Sequence, residues 1–133
     1  MSYEINLKLE EGRRESASFG WNQFLAIVGK ILEDSKSLSD DFSVGCEAQM
    51  EMGYFWITSE YSIGELSLIR SSLKSLRGNY EMPPDFNTSH VVRRIIPKLK
   101  GGTEPIDLEI SRSFCLGLDF LISRLSDYLN KAS

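Results

Sequence analysis

The sequence predicts a single α+β domain, residues 1–133, in which a small, mainly antiparallel sheet of three to five strands packs against three to four helices. The chain has 133 residues, which is the usual length of one domain. Apolar residues make up 41% of it and charged residues 26%, as in globular proteins. Segments of period two alternate with segments of helical period in the order β-α-β(β)-α-α-β-α, which favours helices packed on a sheet.

The first part of the chain predicts a strand, a turn and a helix. Apolar and polar residues alternate over Tyr3–Leu9, the pattern of a half-buried strand, and Glu11–Arg14 is predicted to be a turn. Apolar residues at spacings of three and four then form a stripe over Trp21–Leu32, which is typical of an amphipathic helix. The polar, serine-rich stretch 35–41 is predicted to end this helix.

The most regular pattern in the sequence is an alternation from residue 42 to residue 56. Every even position is apolar, and the odd positions from 43 to 53 hold serine, glycine, glutamate or glutamine. A period of two over this length predicts one long strand with a buried face, or two shorter strands bent at Gly53. Glu47, Gln49 and Glu51 are then expected to project from the exposed face.

The clearest helix signal follows this alternation. Ser62 and Glu65 have the spacing of a capping box, in which serine and glutamate satisfy the backbone at a helix start. The apolar stripe of this helix runs to Leu76, and Gly78 is placed to end it. Residues 79–87, which include two adjacent prolines, are predicted to form a loop.

The last part of the chain predicts a short helix, a strand and a long helix. Residues 91–96 fit a short helix that Pro97 ends, and a strand is the less favoured alternative there. Residues 106–110 alternate as a strand, and the stripe over 114–129 indicates a final amphipathic helix.

No combination of residues indicates a catalytic, metal or cofactor site. His90 is the single histidine of the chain, and Cys46 and Cys115 lie at distant apolar positions that predict buried thiols, so zinc ligands are too few. Glu47 and Glu51, four positions apart on a strand, are expected to lie about 13 Å apart, too far for a catalytic carboxylate pair. We therefore expect neither enzymatic activity nor a bound metal or cofactor.

Charge is distributed unevenly along a chain of net charge −4. Residues 31–65 hold eight acids against Lys36 alone, whereas residues 66–100 hold seven bases against two acids. The domain as a whole lacks the basic excess that is usual in nucleic-acid-binding proteins. The longest apolar run, 24–28, is too short to cross a bilayer, and no secretory signal is recognisable, so we expect a cytoplasmic protein with no membrane partner.

The acidic segment is the candidate site, and it favours recognition of a basic protein. Nuclease toxins are basic because they hold phosphates, and a small acidic immunity protein can cover such a surface with fast association. The predicted function is therefore a non-enzymatic immunity or inhibitor protein for a basic toxin, such as a nuclease. The residues expected to contact this partner are Glu33, Asp34, Asp40, Asp41, Glu47, Gln49, Glu51 and Glu60.

Other functions remain compatible with the same sequence. An ordinary solvated surface explains the acidic residues without any partner. A small enzyme or ligand-binding domain would place a pocket near Tyr54, Trp56 and His90. An acidic secretion chaperone, or a structural subunit that self-associates through an apolar face or a strand edge, also fits, and no feature of the sequence predicts an oligomeric state.

Overall fold

A computed structural model describes residues 2–98 and 102–132 of the chain. The described residues form four helices and two sheets, so the predicted α+β class is confirmed. The elements, in chain order, are β1 (Tyr3–Glu10), β2 (Arg13–Phe19), α1 (Trp21–Ser35), α2 (Asp40–Met52), β3 (Tyr54–Thr58), α3 (Ile63–Gly78), β4 (Ser89–Lys98), β5 (Gly102–Ser111) and α4 (Arg112–Ala132). The order of elements therefore differs from the predicted one at three places, which are β2, α2 and β4.

The first sheet has three strands in the order β2-β1-β3. The β1 and β2 strands are antiparallel, whereas β1 and β3 are parallel. The prediction of a turn over Glu11–Arg14 is correct only at its start, because the chain reverses at Gly12, with φ of 76°, and Arg13 already begins β2. The β2 strand escaped prediction because its inner face offers only two buried apolar side chains, Ala17 and Phe19.

The second sheet is the antiparallel β4–β5 hairpin, which extends in register from Ser89↔Ser111 to Lys98↔Gly102. The predicted helix at 91–96 is therefore wrong, and the less favoured strand is what the structure contains. The β-branched pairs Val91–Val92 and Ile95–Ile96 suit a pleated strand better than a helix, because their stiff side chains crowd a helical turn. The inner face of the hairpin packs on α1, where a Cβ added at Gly29 would lie 3.5 Å from Ile96.

The long strand predicted after residue 42 is also wrong, because residues 40–52 form the helix α2. The Ser39 side chain accepts a hydrogen bond from the Phe42 N–H at 3.1 Å and caps the helix start. Gly53 ends the helix in the left-handed conformation, with φ of 80°, which glycine adopts without a steric penalty. The chain then continues directly into β3, so only the end of the predicted strand is a strand.

The remaining helices and β1 form where the sequence predicted them. The capping box at α3 is present, with the Glu65 N–H donating to Ser62 Oγ at 3.1 Å and the Ser62 N–H donating to Glu65 Oε1 at 2.8 Å. The core lies between the helices and the inner faces of both sheets, and Phe24, Phe55 and Phe114 are among its fully buried side chains. Within the described ranges, no helix combines the length and the apolar character needed to cross a bilayer.

Candidate protein-binding surface on α2

The α2 helix turns one side of its surface to the solvent. Successive residues of an α-helix are rotated by about 100°, so positions three and four apart share a face. This arrangement sets two neighbouring stripes side by side, and all their residues are exposed except Glu47, which is half-buried. We call these eight residues the α2 face: Asp40, Val44, Glu47 and Glu51 in one stripe, and Asp41, Gly45, Ala48 and Met52 in the other.

An apolar strip runs along the α2 face. Val44 and Met52 each keep 64% of their surface exposed, and Ala48 and Gly45 are exposed between them. A Cβ placed at Gly45 would meet no atom within 4 Å, so the strip is open at this position, and at its end the Tyr54 hydroxyl lies 3.4 Å from Met52 Sδ. Exposed apolar side chains flanked by charged ones have the composition of a protein interface with a polar rim.

The charges on the α2 face all have one sign. The helix contains four acids and no basic residue. Asp40, Asp41 and Glu51 belong to none of the ion pairs or side-chain hydrogen bonds formed among residues 2–98 and 102–132. The negative potential of this helix is therefore not neutralised by contacts of those three carboxylates within the described chain.

The positions of the acids along α2 have opposite energetic consequences. Asp40 and Asp41 lie in the first turn, where the positive end of the helix dipole stabilises negative charge. Glu51 lies in the last turn, where the dipole is negative and no basic residue compensates. A carboxylate at that position lowers the stability of the helix by about 0.3–1 kcal/mol.

The structure separates the eight residues predicted to contact a partner. Asp40, Asp41, Glu47 and Glu51 lie on the α2 face, and Glu33 of α1 is exposed beside it, because Glu33 and Glu47 line the same groove. Glu60 lies elsewhere, in the turn after β3, where it lines a groove with Lys8 and Trp56.

The other two predicted contact residues have structural roles. Asp34 accepts a hydrogen bond from the buried Ser72 hydroxyl at 2.6 Å and pairs with Lys30 at 3.2 Å, which joins α1 to α3. Gln49 points inward from α2, and its Oε1 accepts the Trp56 N–H at 2.7 Å. Its Nε2 also lies 3.1 Å from the Tyr61 hydroxyl. The side chains of Asp34 and Gln49 are therefore both engaged in contacts within the protein.

Sequence reasoning missed the apolar part of the α2 face. Val44, Ala48 and Met52 were expected in the core because they share the parity of the buried Phe42, Cys46 and Met50. On a helix, however, the even positions split into two stripes of spacing four. Only the stripe of Phe42, Cys46 and Met50 is buried. The signals that identify the helix are the cap at Ser39 and the glycine at its end, which enclose the whole ambiguous segment.

The residues with catalytic potential do not converge. His90 is exposed on β4, in a different sheet from Tyr54 and Trp56, and the groove that Trp56 lines does not include it. The expected separation of Glu47 and Glu51 is wrong, since on a helix their Cβ atoms lie about 5–6 Å apart. The groove that Glu47 lines does not include Glu51.

Both cysteines are buried, as predicted, and their thiols are poor nucleophiles. Burial, with a smaller contribution from Glu65, raises the pKa of Cys46 to about 12. Burial also raises the pKa of Cys115. Among the described residues, no group of three histidine, cysteine, aspartate or glutamate side chains is arranged to hold a metal ion.

No model of a known protein family, no curated protein and no solved structure matches this chain. Any functional assignment therefore depends on the geometry and the charge of its own surfaces.

Proposed function

We propose that this protein is a non-enzymatic inhibitor or immunity protein that binds a basic toxin, such as a nuclease domain, through the α2 face. The observation that carries the proposal is the coincidence, on one helix, of uncompensated acids with exposed apolar side chains. A nuclease needs a basic surface to hold phosphates, and a helix of opposite charge that covers this surface excludes the nucleic acid.

The two components of the α2 face contribute differently to such binding. The acids Asp40, Asp41 and Glu51 attract a basic partner and raise the association rate, which makes this rate sensitive to salt. Val44 and Met52 supply apolar area, and burying what they still expose contributes roughly 1–2 kcal/mol each. Leu38, which is 44% exposed just before α2, and Glu33 beside it extend the surface toward the size that a stable interface requires.

The proposal is tested with the proteins encoded beside this one. Each neighbouring product is expressed alone and with this chain, and growth and co-purification are measured. We expect one neighbour to be toxic and basic, to be neutralised by this chain and to co-purify with it. If none of these products binds this chain, the inhibitor assignment is wrong.

The binding surface is tested with a charge-reversal variant and a matched control. The variant carries Asp40→Lys, Asp41→Lys and Glu51→Lys. The control reverses three exposed carboxylates outside α2 that form no ion pair among the described residues, in the variant Glu11→Lys, Glu81→Lys and Glu104→Lys. Since both variants change the net charge equally, loss of binding in the first alone supports the α2 face, and equal affinities contradict it.

A further inference from the structure

The two outer edges of the β4–β5 hairpin differ in their hydrogen bonding. On β5, the Asp107 carbonyl accepts a hydrogen bond from Asn22 Nδ2, and the Glu109 carbonyl accepts one from Gln23 Nε2, both at 3.0 Å. These side chains come from the first turn of α1, so the carbonyls of residues 107 and 109 point away from β4. The start of α1 thus covers the free edge of β5.

The register then fixes which groups of β4 face outward. Arg93 pairs with Asp107 and Val91 with Glu109. In an antiparallel ladder, paired residues either bond to each other or both point away from each other. Since residues 107 and 109 point away, the N–H and C=O groups of Val91, Arg93 and, by alternation, Ile95 point to the free edge of β4. We call these main-chain groups the β4 edge.

Within the described ranges, the main-chain groups of the β4 edge have no hydrogen-bond partner, and at the Ile95 end they lie in a groove that Glu33 and Glu47 also line. No hydrogen bond among residues 2–98 and 102–132, beyond the pairing with β5, reaches the main chain of residues 91–95. The edge of β3, by contrast, has the Trp56 N–H bonded to Gln49. The β2 strand has only seven residues and begins with Arg13, Arg14 and Glu15. Its edge is less suited to pairing with another strand, because short edge strands with charged residues resist pairing.

The side chains along the β4 edge are apolar and basic. Val91 is 61% exposed and Ile95 is 59% exposed on the outer face of the hairpin, with Arg93 between them. Arg93 pairs with Asp107 of β5 at 2.9 Å. Arg94 follows on the inner face, where its guanidinium donates a hydrogen bond to the Tyr80 hydroxyl at 3.0 Å, and β4 itself contains no acid. Pro97 lacks an N–H and limits any added strand to the residues before it.

We propose that the β4 edge binds an extended acidic and apolar segment of a partner protein as an additional antiparallel strand. Main-chain hydrogen bonds provide affinity in this mode of recognition, and the side chains that alternate along the strand provide specificity. Apolar residues of the segment lie beside Val91 and Ile95, and acidic residues lie beside Arg93 and Arg94. This inference does not depend on the α2 face, whose partner has the opposite charge.

The charge of β4 favours a foreign segment over a second copy of the chain. Pairing two antiparallel β4 strands brings Arg93 and Arg94 of one copy close to the same residues of the other. Like charges opposite each other destabilise a ladder, and Asp107, the acid that pairs with Arg93 at 2.9 Å, lies on β5, on the side of β4 away from a second copy. An acidic segment replaces this repulsion by attraction.

The direct probe is a fluorescent, end-capped peptide of sequence Thr-Val-Glu-Glu-Val-Val-Thr, which complements residues 91–95 in antiparallel register. Its binding is measured by fluorescence anisotropy against the full chain. We expect saturable binding that weakens about ten-fold when both glutamates are replaced by lysine, because the attractions to Arg93 and Arg94 become repulsions. Absence of binding, or equal affinity for both peptides, contradicts the proposal.

Two N-methylated versions of the peptide test for strand pairing. Methyl groups on the second, fourth and sixth residues block the N–H groups that face β4 in this register, whereas methyl groups on the third and fifth residues do not. We expect only the first version to lose binding. Equal binding of both versions would show that the segment does not add to the sheet.

A matched variant of the chain tests the role of charge without changing the net charge. The pair Arg93→Glu and Asp107→Arg exchanges the partners of an ion pair that joins the strands at 2.9 Å. We expect this variant to fold, to lose affinity for the glutamate peptide and to gain affinity for the lysine peptide. An unchanged preference for the glutamate peptide contradicts the assignment. The assignment is also contradicted if the chain dimerises without peptide in sedimentation equilibrium and Val91→Lys abolishes the dimer, because the edge then binds a second copy.

Discussion

Replacing Gly117 by alanine tests a close contact between a helix and a sheet. Gly117 lies in α4 against β2, and a Cβ at this position would lie 2.8 and 2.9 Å from two ring carbons of Phe19. The ring has little room to move, because Phe19 is only 3% exposed and packs edge-on against Phe114. Alanine therefore requires a shift of the ring or of the helix.

Two opposing effects decide the outcome of this substitution. Alanine stabilises a helix interior by up to about 1 kcal/mol relative to glycine. Overpacking a buried site costs about 1–3 kcal/mol. We therefore expect Gly117→Ala to lower the free energy of unfolding by about 1 kcal/mol, since the steric term exceeds the gain in helix propensity.

Gly45 is the matched control, because it lies inside α2 with open space where a Cβ would be. The Gly45→Ala variant gains helix propensity without a clash, so it should raise the free energy of unfolding by up to about 1 kcal/mol. Chemical denaturation followed by circular dichroism measures both variants. Equal stabilisation by the two substitutions would show that the contact of Gly117 with Phe19 is not tight.

Three further substitutions test a hydrogen bond, a buried thiol and a surface charge. Gln49→Leu should lower the free energy of unfolding by about 1–3 kcal/mol, because the Trp56 N–H loses its acceptor; an unchanged denaturation midpoint would contradict this role. Cys46 has a pKa of about 12 when folded, so its contribution to stability is complete below an unfolded-state pKa near 8.5 and is lost as the pH rises toward 12. Cys46→Ala should reduce this alkaline loss, as measured by denaturation between pH 8 and pH 11. Glu51→Lys should stabilise α2 by about 0.3–1 kcal/mol while weakening partner binding, and unchanged binding would remove Glu51 from the interface.

The sequence predicts elements well where one face alone meets the core. The α1, α3 and α4 helices have continuous apolar stripes, and α3 also has a capping box, so local pattern and tertiary packing agree. The α2 helix is different, because apolar residues occupy both its buried and its exposed sides. A strand of period two and a helix with two apolar stripes of spacing four then have the same sequence pattern. Only the residues at the ends of the segment distinguish the helix from the strand.

The hairpin escaped correct prediction for a related reason. Residues 91–96 alternate pairs of apolar residues with a pair of arginines, which fits one turn of an amphipathic helix. Their strand conformation depends on pairing with residues 104–109, which is a contact that local patterns do not contain. The acids of the candidate site were found from sequence because charge is visible in composition. The apolar strip beside them depends on the rotation of α2, so sequence alone did not reveal it.

The composition of the α2 face argues against solubility as its only role. A surface that serves only to keep a protein soluble has no need of contiguous apolar residues, yet Val44 and Met52 are exposed between the acids. Helix stability alone would favour a basic residue in place of Glu51, next to the negative end of the dipole. Both features are unfavourable in the isolated chain and become favourable when a basic, partly apolar surface covers the helix. A bound partner accounts for both at once, which neither solubility nor helix stability does.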